Sequence, residues 1–421
     1  MLRFTPFGNA GLTGERRRTL GWICAPIAAN QLGFGAIVPV VPLYAEEYGV
    51  SQTAVGLTIA IYGLARFLVN VPAGQLADRR GRRQTLAFGG LLTVVGNLAC
   101  ALAPTYPAFL VARFVAGAGA AMVLTGGQVV LADISETANR GRVMATYQGV
   151  FLFAVGLGPL PGGLLASHFG LAAPFVANAA LAGVVAVLAL TRVPETRGLA
   201  HGGATRLPSA KLSGRAQIAL LGATPGFALI SLVSFAIFFA RTGALFNVIP
   251  LLARDDLGLS PAQIGFGLGM ISVVGLLLAY PAGVLVDRFG RKAVIVPATL
   301  MTAAAMLLFA AVPNWGWYLV ACLIWSAASG IGGAAPAAYA ADIAPAGLGA
   351  PALGAYRTVA DLGYVIGPLL LGAVADLVSP EAALGTASLL LTVAGATFAR
   401  RAPETLVRPT APAAPPPAEF D

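Results

Sequence analysis

The sequence predicts an all-α integral membrane protein in which twelve transmembrane helices form two parallel repeats of six. Three observations support this prediction: the composition, the spacing of long apolar segments, and a set of motifs that recurs at one fixed offset. Of the 421 residues, 57% are hydrophobic and 10% are charged, whereas a soluble domain carries roughly 25% charged residues. So few charges cannot cover a water-facing surface, so most of the chain must face lipid.

Apolar segments long enough to span a bilayer recur along the chain. A hydrocarbon core of about 30 Å needs about 20 residues of helix. In lipid these segments must be helical, because each backbone amide then finds its partner within its own segment. The first 18 residues lack an apolar core, so we expect no cleavable signal peptide. The predicted spans are 19–43, 53–77, 85–104, 107–131, 143–167, 171–193, 224–250, 262–286, 293–313, 316–341, 352–376 and 381–399.

One long polar stretch divides these spans into two sets of six. It predicts a cytoplasmic linker over 194–223, between an N-terminal six-helix bundle over 1–193 and a C-terminal bundle over 224–400. Residues 401–421 are rich in proline, and we expect a disordered cytoplasmic tail there.

Arginine and lysine cluster in alternate loops, and Arg254 is the one basic residue expected on the other side. The positive-inside rule therefore places both termini in the cytoplasm. The net charge is +9, but no segment is polar enough to form the basic face that nucleic-acid binding needs. Abundant Ala, Gly and Arg suggest a bacterial genome, and hence the inner (plasma) membrane.

We expect no cofactor, no metal and no enzymatic chemistry. The cysteines Cys24, Cys100 and Cys322 lie in apolar runs without the spacing of a disulfide or zinc framework. Neither His168 nor His201 suits a metal site. The motifs GxxxxGK[ST], HExxH and GxSxG do not occur in the sequence.

The second half of the chain repeats motifs of the first half 209 residues later. PAGQLADRRGRR from Pro72 aligns with PAGVLVDRFGRK from Pro281, and the same offset relates Asp133 to Asp342. It also relates two tyrosines and two Gly-Pro pairs. Parallel repeats about an axis along the membrane normal are one architecture of transporters.

Over essentially its whole length the chain resembles the major facilitator superfamily. PAGQLADRRGRR is similar to the superfamily's loop signature, GxLaDrxGr[RK]. LGFGAIVPVVP from Leu32 resembles the first-helix motif of the twelve-helix drug:proton antiporters, and RFVAGAGAA from Arg113 resembles the fourth-helix motif with its buried arginine. GPLPGG from Gly158 resembles the fifth-helix antiporter motif, with Ala154 where that motif has its first glycine.

The resemblance implies a latch that holds the two halves in the outward-open state. Asp78 is its most informative member, because an anion at a helix end can accept bonds from arginines or from a neighbouring helix N-terminus. Positive-inside topology and headgroup contact could fully explain Arg80 and Arg83, but not an aspartate that recurs. The predicted latch residues are Gly74, Asp78, Arg79, Gly81, Arg82 and Asp133, with Gly283, Asp287 and Arg291 in the second half.

Charged residues expected within the membrane are costly and mark function. Asp361 is the only acid among them, at spacing i, i+4 from Arg357. Its carboxylate could load and release a proton, or it could form a structural pair with Arg357. Arg113 resembles the superfamily arginine linked to proton coupling, or backbone carbonyls could hold it. We assign proton coupling to Arg113, Arg357 and Asp361.

Other polar residues could line a substrate cavity, although each alone more often makes an interhelical hydrogen bond. The predicted cavity residues are Asn30, Gln31, Arg66, Gln128, Arg241 and Asn247. Small residues beside proline let helices approach closely and bend, or they could serve tight packing alone. The predicted bending residues are Gly158, Pro159, Gly162, Gly163, Gly367 and Pro368.

The expected function is proton-coupled efflux of small amphipathic compounds by alternating access. Four intramembrane arginines against one aspartate favour an anionic or neutral substrate, so an organic-anion or nutrient carrier, a symporter or uniporter, is the alternative. A membrane receptor on this fold would bind a solute without moving it. We expect a monomer whose partners are a small-molecule substrate, protons and the lipid bilayer.

Overall fold

A computed structural model describes residues 14–135, 139–197, 214–333, 335–345 and 348–405. Within these ranges the chain is helical without a β-strand, and twelve helices are long and apolar enough to cross a membrane. The predicted all-helical fold is confirmed. The helices are α1 (Gly14–Ile37), α2 (Gln52–Arg80), α3 (Arg82–Ala101), α4 (Tyr106–Ile134), α5 (Arg140–Leu157 and Pro159–Phe169), α6 (Ala173–Thr191), α7 (Phe227–Asp255), α8 (Pro261–Phe289), α9 (Arg291–Ala310), α10 (Trp315–Gly332 and Ala335–Asp342), α11 (Gly349–Leu377) and α12 (Pro380–Arg401).

Local sequence signals set several helix ends. Ser51 caps α2 by accepting a hydrogen bond from the Ala54 amide at 3.3 Å, and Ser260 begins a capping box on α8. Single glycines turn α2 into α3 and α8 into α9: Gly81 has φ 110° and Gly290 has φ 98°. Residues with a side chain rarely adopt such angles, so both turns require glycine.

The two sets of six helices pack in the same way. In the first half α2 and α3 pack on α4, while α6 packs on α1 and α3. In the second half α8 and α9 pack on α10, while α12 packs on α7 and α9. The halves meet along two seams, α2 against α11 and α5 against α8. These seams exchange places under the 209-residue offset, which gives the bundle a pseudo-two-fold axis.

The bundle has two distinct ends. We call one the arginine-rich end, where α2 stops at Arg80 and α9 starts at Arg291, and the other the opposite end, where α2 starts at Gln52. Hydrogen bonds between the halves are found at the opposite end, including that from the Ala262 amide to the Ser167 hydroxyl. The conformation is therefore closed at the opposite end.

Part of the predicted linker and of the predicted tail is ordered. A short helix covers Gly214–Ala223, within the predicted linker. Thr196 is fully buried against the first half, and Glu404 binds the start of α9. The side chains of Thr196 and Glu404 therefore have specific partners in the helical bundle. The linker residues 198–213 and the tail residues 406–421 lie outside the described ranges.

Helix α7 contains a π-helical segment, Arg241–Val248, that the apolar pattern did not predict. Short π-helical turns are rare and often lie at functional sites. The Arg241 guanidinium lies 5.7 Å from the ring centroid of Phe246, five residues further on. The π-helical register thus begins at one of the predicted cavity arginines.

Candidate functional site

At the arginine-rich end, Arg82 forms the centre of a polar network. Its Nε donates to Asp133 at 2.8 Å, and its Nη1 donates to the Ala77 carbonyl at 3.0 Å. Asp78 lies 3.2 Å from Nη2. The Asp133 side chain is only 8% exposed, whereas that of Asp78 is 70% exposed. Asp133 therefore holds the fold together here, and Asp78 stays available for another partner.

Two residues in the predicted linker complete this network, and the motif analysis missed them. The Glu195 carboxylate accepts hydrogen bonds from the backbone amides of Arg82 at 3.0 Å and Arg83 at 3.2 Å. It thus caps α3 at its positive end. The Thr196 hydroxyl donates to Asp133 at 2.7 Å.

The second half carries the same network. Arg291 pairs with Asp342 at 2.9 Å, and Glu404 accepts from the amides of Arg291 and Lys292, both at 3.1 Å. The Thr405 hydroxyl donates to Asp342 at 3.1 Å. A sequence signal was present, because Pro-Glu-Thr occurs at 194–196 and again at 403–405, at the offset of the repeat.

The other predicted latch residues have more ordinary surroundings. Arg79 is exposed. A Cβ added at Gly74 would lie 3.8 Å from Cγ2 of Thr125, an ordinary van der Waals distance. The side chain of Asp287 and the surroundings of Gly283 lie outside the described part of the chain. The arrangement therefore centres on Arg82, Asp78 and Asp133.

In the middle of the bundle, α2 and α11 enclose a small cavity. Its charged members are Arg66 from the first half and Asp361 from the second half. Asp361 is exposed, and no ion pair joins it to Arg66 or Arg357 among the described residues. The structural Arg357–Asp361 pair considered from the sequence does not form. The lining residues are Gly63, Arg66, Phe67, Asn70, Asp361 and Tyr364.

Arg113 on α4 is 2% exposed and lies beside α2. Its Nε donates to the Thr58 carbonyl at 3.2 Å, and its guanidinium lies 4.6 Å from the centroid of the Tyr62 ring. The Thr58 carbonyl thus accepts from one donor of this arginine, as in the backbone-carbonyl alternative given by the sequence. The buried Nη1 donor has no hydrogen-bond partner among the described residues.

Tyr364 packs against Gly63 across the α2–α11 seam and lines the cavity beside Arg66 and Asp361. Arg113 lies over the ring of Tyr62, the residue before Gly63. Arg241 begins the π-helical segment of α7, where the neighbouring Thr242 hydroxyl donates to the Tyr364 carbonyl at 3.1 Å. Arg357 is exposed on α11, four residues before Asp361. We call this group the central charged cluster. Its residues are Arg66, Arg113, Arg241, Arg357, Asp361 and Tyr364.

Of the remaining predicted cavity residues, three are buried between helices. Asn30 donates to Gln31 at 3.0 Å, and Asn247 donates to the Pro368 carbonyl at 3.4 Å. These contacts favour packing roles. Gln128 is exposed and stays a candidate for contact with substrate.

The predicted bending residues lie where helices approach closely. Gly158 separates the two parts of α5, while α11 continues through Pro368. A Cβ added at Gly367 would meet the backbone of Phe239, with 2.9 Å to its Cα. Gly162 approaches the backbone of Ala36 even more closely. The close-packing interpretation is sufficient for these contacts in the present conformation.

A bundle of two parallel six-helix repeats is an architecture found among membrane transporters. The chain belongs to the major facilitator superfamily, whose family model matches residues 27–240 and 230–420. It is accordingly a multi-pass membrane protein of a transporter family.

Two of the curated relatives are named multidrug resistance proteins. The chain is 26% identical over 268 residues to multidrug resistance protein MdtL of Shewanella oneidensis, covering 64% of this chain and 66% of that protein, just under two thirds of its length. It is 25% identical over 351 residues to multidrug resistance protein 2 of Bacillus subtilis, covering 82% and 86%.

Solved structures share the fold. A D-xylose–proton symporter matches with a TM-score of 0.73 at 17% identity, over 92% of this chain and 98% of that one. The human organic anion transporter MFSD10 matches with a TM-score of 0.62 at 19% identity, over 91% and 99%. These likenesses concern the fold alone.

Proposed function

We propose that this chain is a proton-coupled exporter of small amphipathic compounds that works by alternating access. The observation that carries the proposal is Asp361, an exposed carboxylate without an ion pair among the described residues, in a cavity shared by the two halves. A proton bound there meets a different set of neighbours whenever the halves move apart. The names of the multidrug resistance relatives support export of small compounds.

The proposal includes an orientation. The arginine-rich end would face the cytoplasm of a bacterium, by the positive-inside rule, and the protein would act as a monomer in the plasma membrane. The conformation closed at the opposite end would then be the inward-facing one.

Transport into proteoliposomes with an imposed pH gradient tests the proposal. A panel of labelled amphipathic compounds is offered to the purified protein, with and without a protonophore. We expect at least one compound to accumulate against its gradient, and the protonophore to remove the accumulation. Transport that ignores the protonophore would contradict proton coupling.

An organic-anion carrier is the second candidate, because the central charged cluster contains four arginines and one carboxylate. This excess of positive charge favours an anion over a cation. Pairs of compounds that share a skeleton but differ in charge distinguish the candidates. A carrier of this kind moves the anionic member of each pair and rejects the cationic one.

The latch assigned to Asp78 makes a separate prediction. Asp78→Asn is expected to slow transport while leaving thermal stability nearly unchanged, because exposed ion pairs contribute little to stability. Asp133→Asn is the matched comparison. It removes a buried charge that binds Arg82 and Thr196, and should lower stability by roughly 1–3 kcal/mol. Full transport activity in Asp78→Asn would contradict the latch.

A further inference from the structure

The first turn of α2 is capped by a carboxylate from the other half of the molecule. Asp376, in the last turn of α11, accepts hydrogen bonds from the Gln52 amide at 2.7 Å and the Thr53 amide at 2.8 Å, one on each oxygen. The Thr53 hydroxyl donates to it as well. The first amides of a helix lack partners within the helix and carry a partial positive charge. This cap is therefore charge-assisted and bidentate.

The repeat-related helix has a weaker version of the same cap. Ser167, in the last turn of α5, accepts from the Ala262 amide of α8 at 2.9 Å. Ser167 precedes Asp376 by the repeat offset of 209 residues, and Pro261 and Ala262 follow Gln52 and Thr53 by the same offset. Pro261 has no amide hydrogen to donate. The start of α8 therefore needs only one acceptor, the neutral Ser167 hydroxyl, whereas the start of α2 needs two, the carboxylate oxygens of Asp376.

Both caps cross the boundary between the halves. They exist only while the opposite end is closed, because each acceptor and its amides belong to different halves. Arg254 of the second half adds an ion pair to Glu46 of the first half at the same end. Opening this end strips the caps from both helices and exposes their amides. Because the Asp376 cap is charged, its removal costs more free energy at the α2–α11 seam than removal of the Ser167 cap costs at the α5–α8 seam.

We propose that Asp376 is the clasp of the gate at the opposite end, and that it sets the population of the conformation closed there. Helix α2 then carries one conformation-dependent carboxylate contact at each end. Asp376 engages its start in the present structure, while Asp78 at its other end is 70% exposed. The clasp does not depend on the substrate or on proton coupling, and its test needs neither.

Spin labels on the two halves measure the gate directly. Leu102 and Ala311 are exposed, repeat-related residues that follow α3 and α9 at the opposite end, away from the clasp. Both become cysteines, and the distance distribution between the attached labels is recorded by electron double resonance. The native cysteines are buried, and a sample without the introduced pair checks that they stay unlabelled.

Asp376→Ala is expected to raise the ratio of open to closed distances at least about tenfold, since three hydrogen bonds to the carboxylate are lost. In Asp376→Asn this ratio should lie between those of the wild type and of Asp376→Ala, because the asparagine amide offers one acceptor oxygen. It keeps the side-chain volume and supplies the test if the alanine variant does not fold. The matched control is Glu381→Ala, which removes an exposed carboxylate in the first turn of α12. It should leave the distance distribution unchanged. Unaltered distances in both Asp376 variants, or an equal shift in Glu381→Ala, would overturn the clasp.

Discussion

Replacing Asp361 by asparagine is expected to abolish accumulation of substrate against its gradient while leaving substrate exchange intact. Asparagine has nearly the same size and cannot titrate, so the cavity keeps its shape and loses its proton. In the proposed mechanism the proton links the two directions of the cycle, whereas exchange needs only the loaded carrier to move back and forth. The two assays therefore separate coupling from transport.

The expected size follows from the coupling between two sites. Coupling free energies of about 1–3 kcal/mol correspond to roughly 5–150-fold in affinity. Substrate affinity in the wild type should change with pH by a factor in this range, and in Asp361→Asn it should be flat. The measurement is substrate binding across a pH series, beside gradient-driven uptake.

Two variants make this result specific. Asp361→Glu keeps a carboxylate and should retain part of the gradient-driven transport. Glu381→Gln removes an exposed carboxylate far from the cavity and should retain all of it. Undiminished gradient-driven transport in Asp361→Asn would remove this residue from the coupling mechanism, and loss of exchange as well would indicate a structural role.

The repeat made much of the fold predictable. Length and hydropathy are sufficient to define twelve helices in lipid, because the membrane leaves few alternatives to a helix. The offset that relates Asp133 to Asp342 also relates their partners Arg82 and Arg291. A pattern seen twice in the sequence thus became the same ion pair twice in the structure.

Contacts between distant elements were less predictable. The spacing of Arg357 and Asp361 brings them to one face of α11, but spacing does not decide whether an ion pair forms. Asp376 belongs to none of the sequence motifs, and its partners on α2 follow only from the way the halves close. The π-helical segment in α7 depends on hydrogen-bond register, which apolar composition does not report.

Replacing Gly163 by valine is expected to prevent closure of the opposite end. Gly163 lies on α5 at the α5–α8 seam, where an added Cβ would come within 3.1 Å of the Cα atoms of both Ala262 and Gly265. Main chain cannot turn aside as a side chain can, and overpacking costs about 1–3 kcal/mol. The closed population should therefore fall roughly tenfold or more, and transport with it.

Gly149 provides the matched control, because it lies on the same helix with no atom within 4 Å of an added Cβ. Gly149→Val should transport at the wild-type rate, which separates crowding at the seam from the effect of valine on the helix. The Leu102–Ala311 label pair should report longer distances in Gly163→Val and unchanged distances in Gly149→Val. Because the clash arises only in the closed conformation, Gly163→Val should still fold and still bind substrate from the open side. If Gly163→Val shows the distances of the closed conformation and transports normally, the prediction is wrong. The seam would then separate locally at this residue without opening the gate.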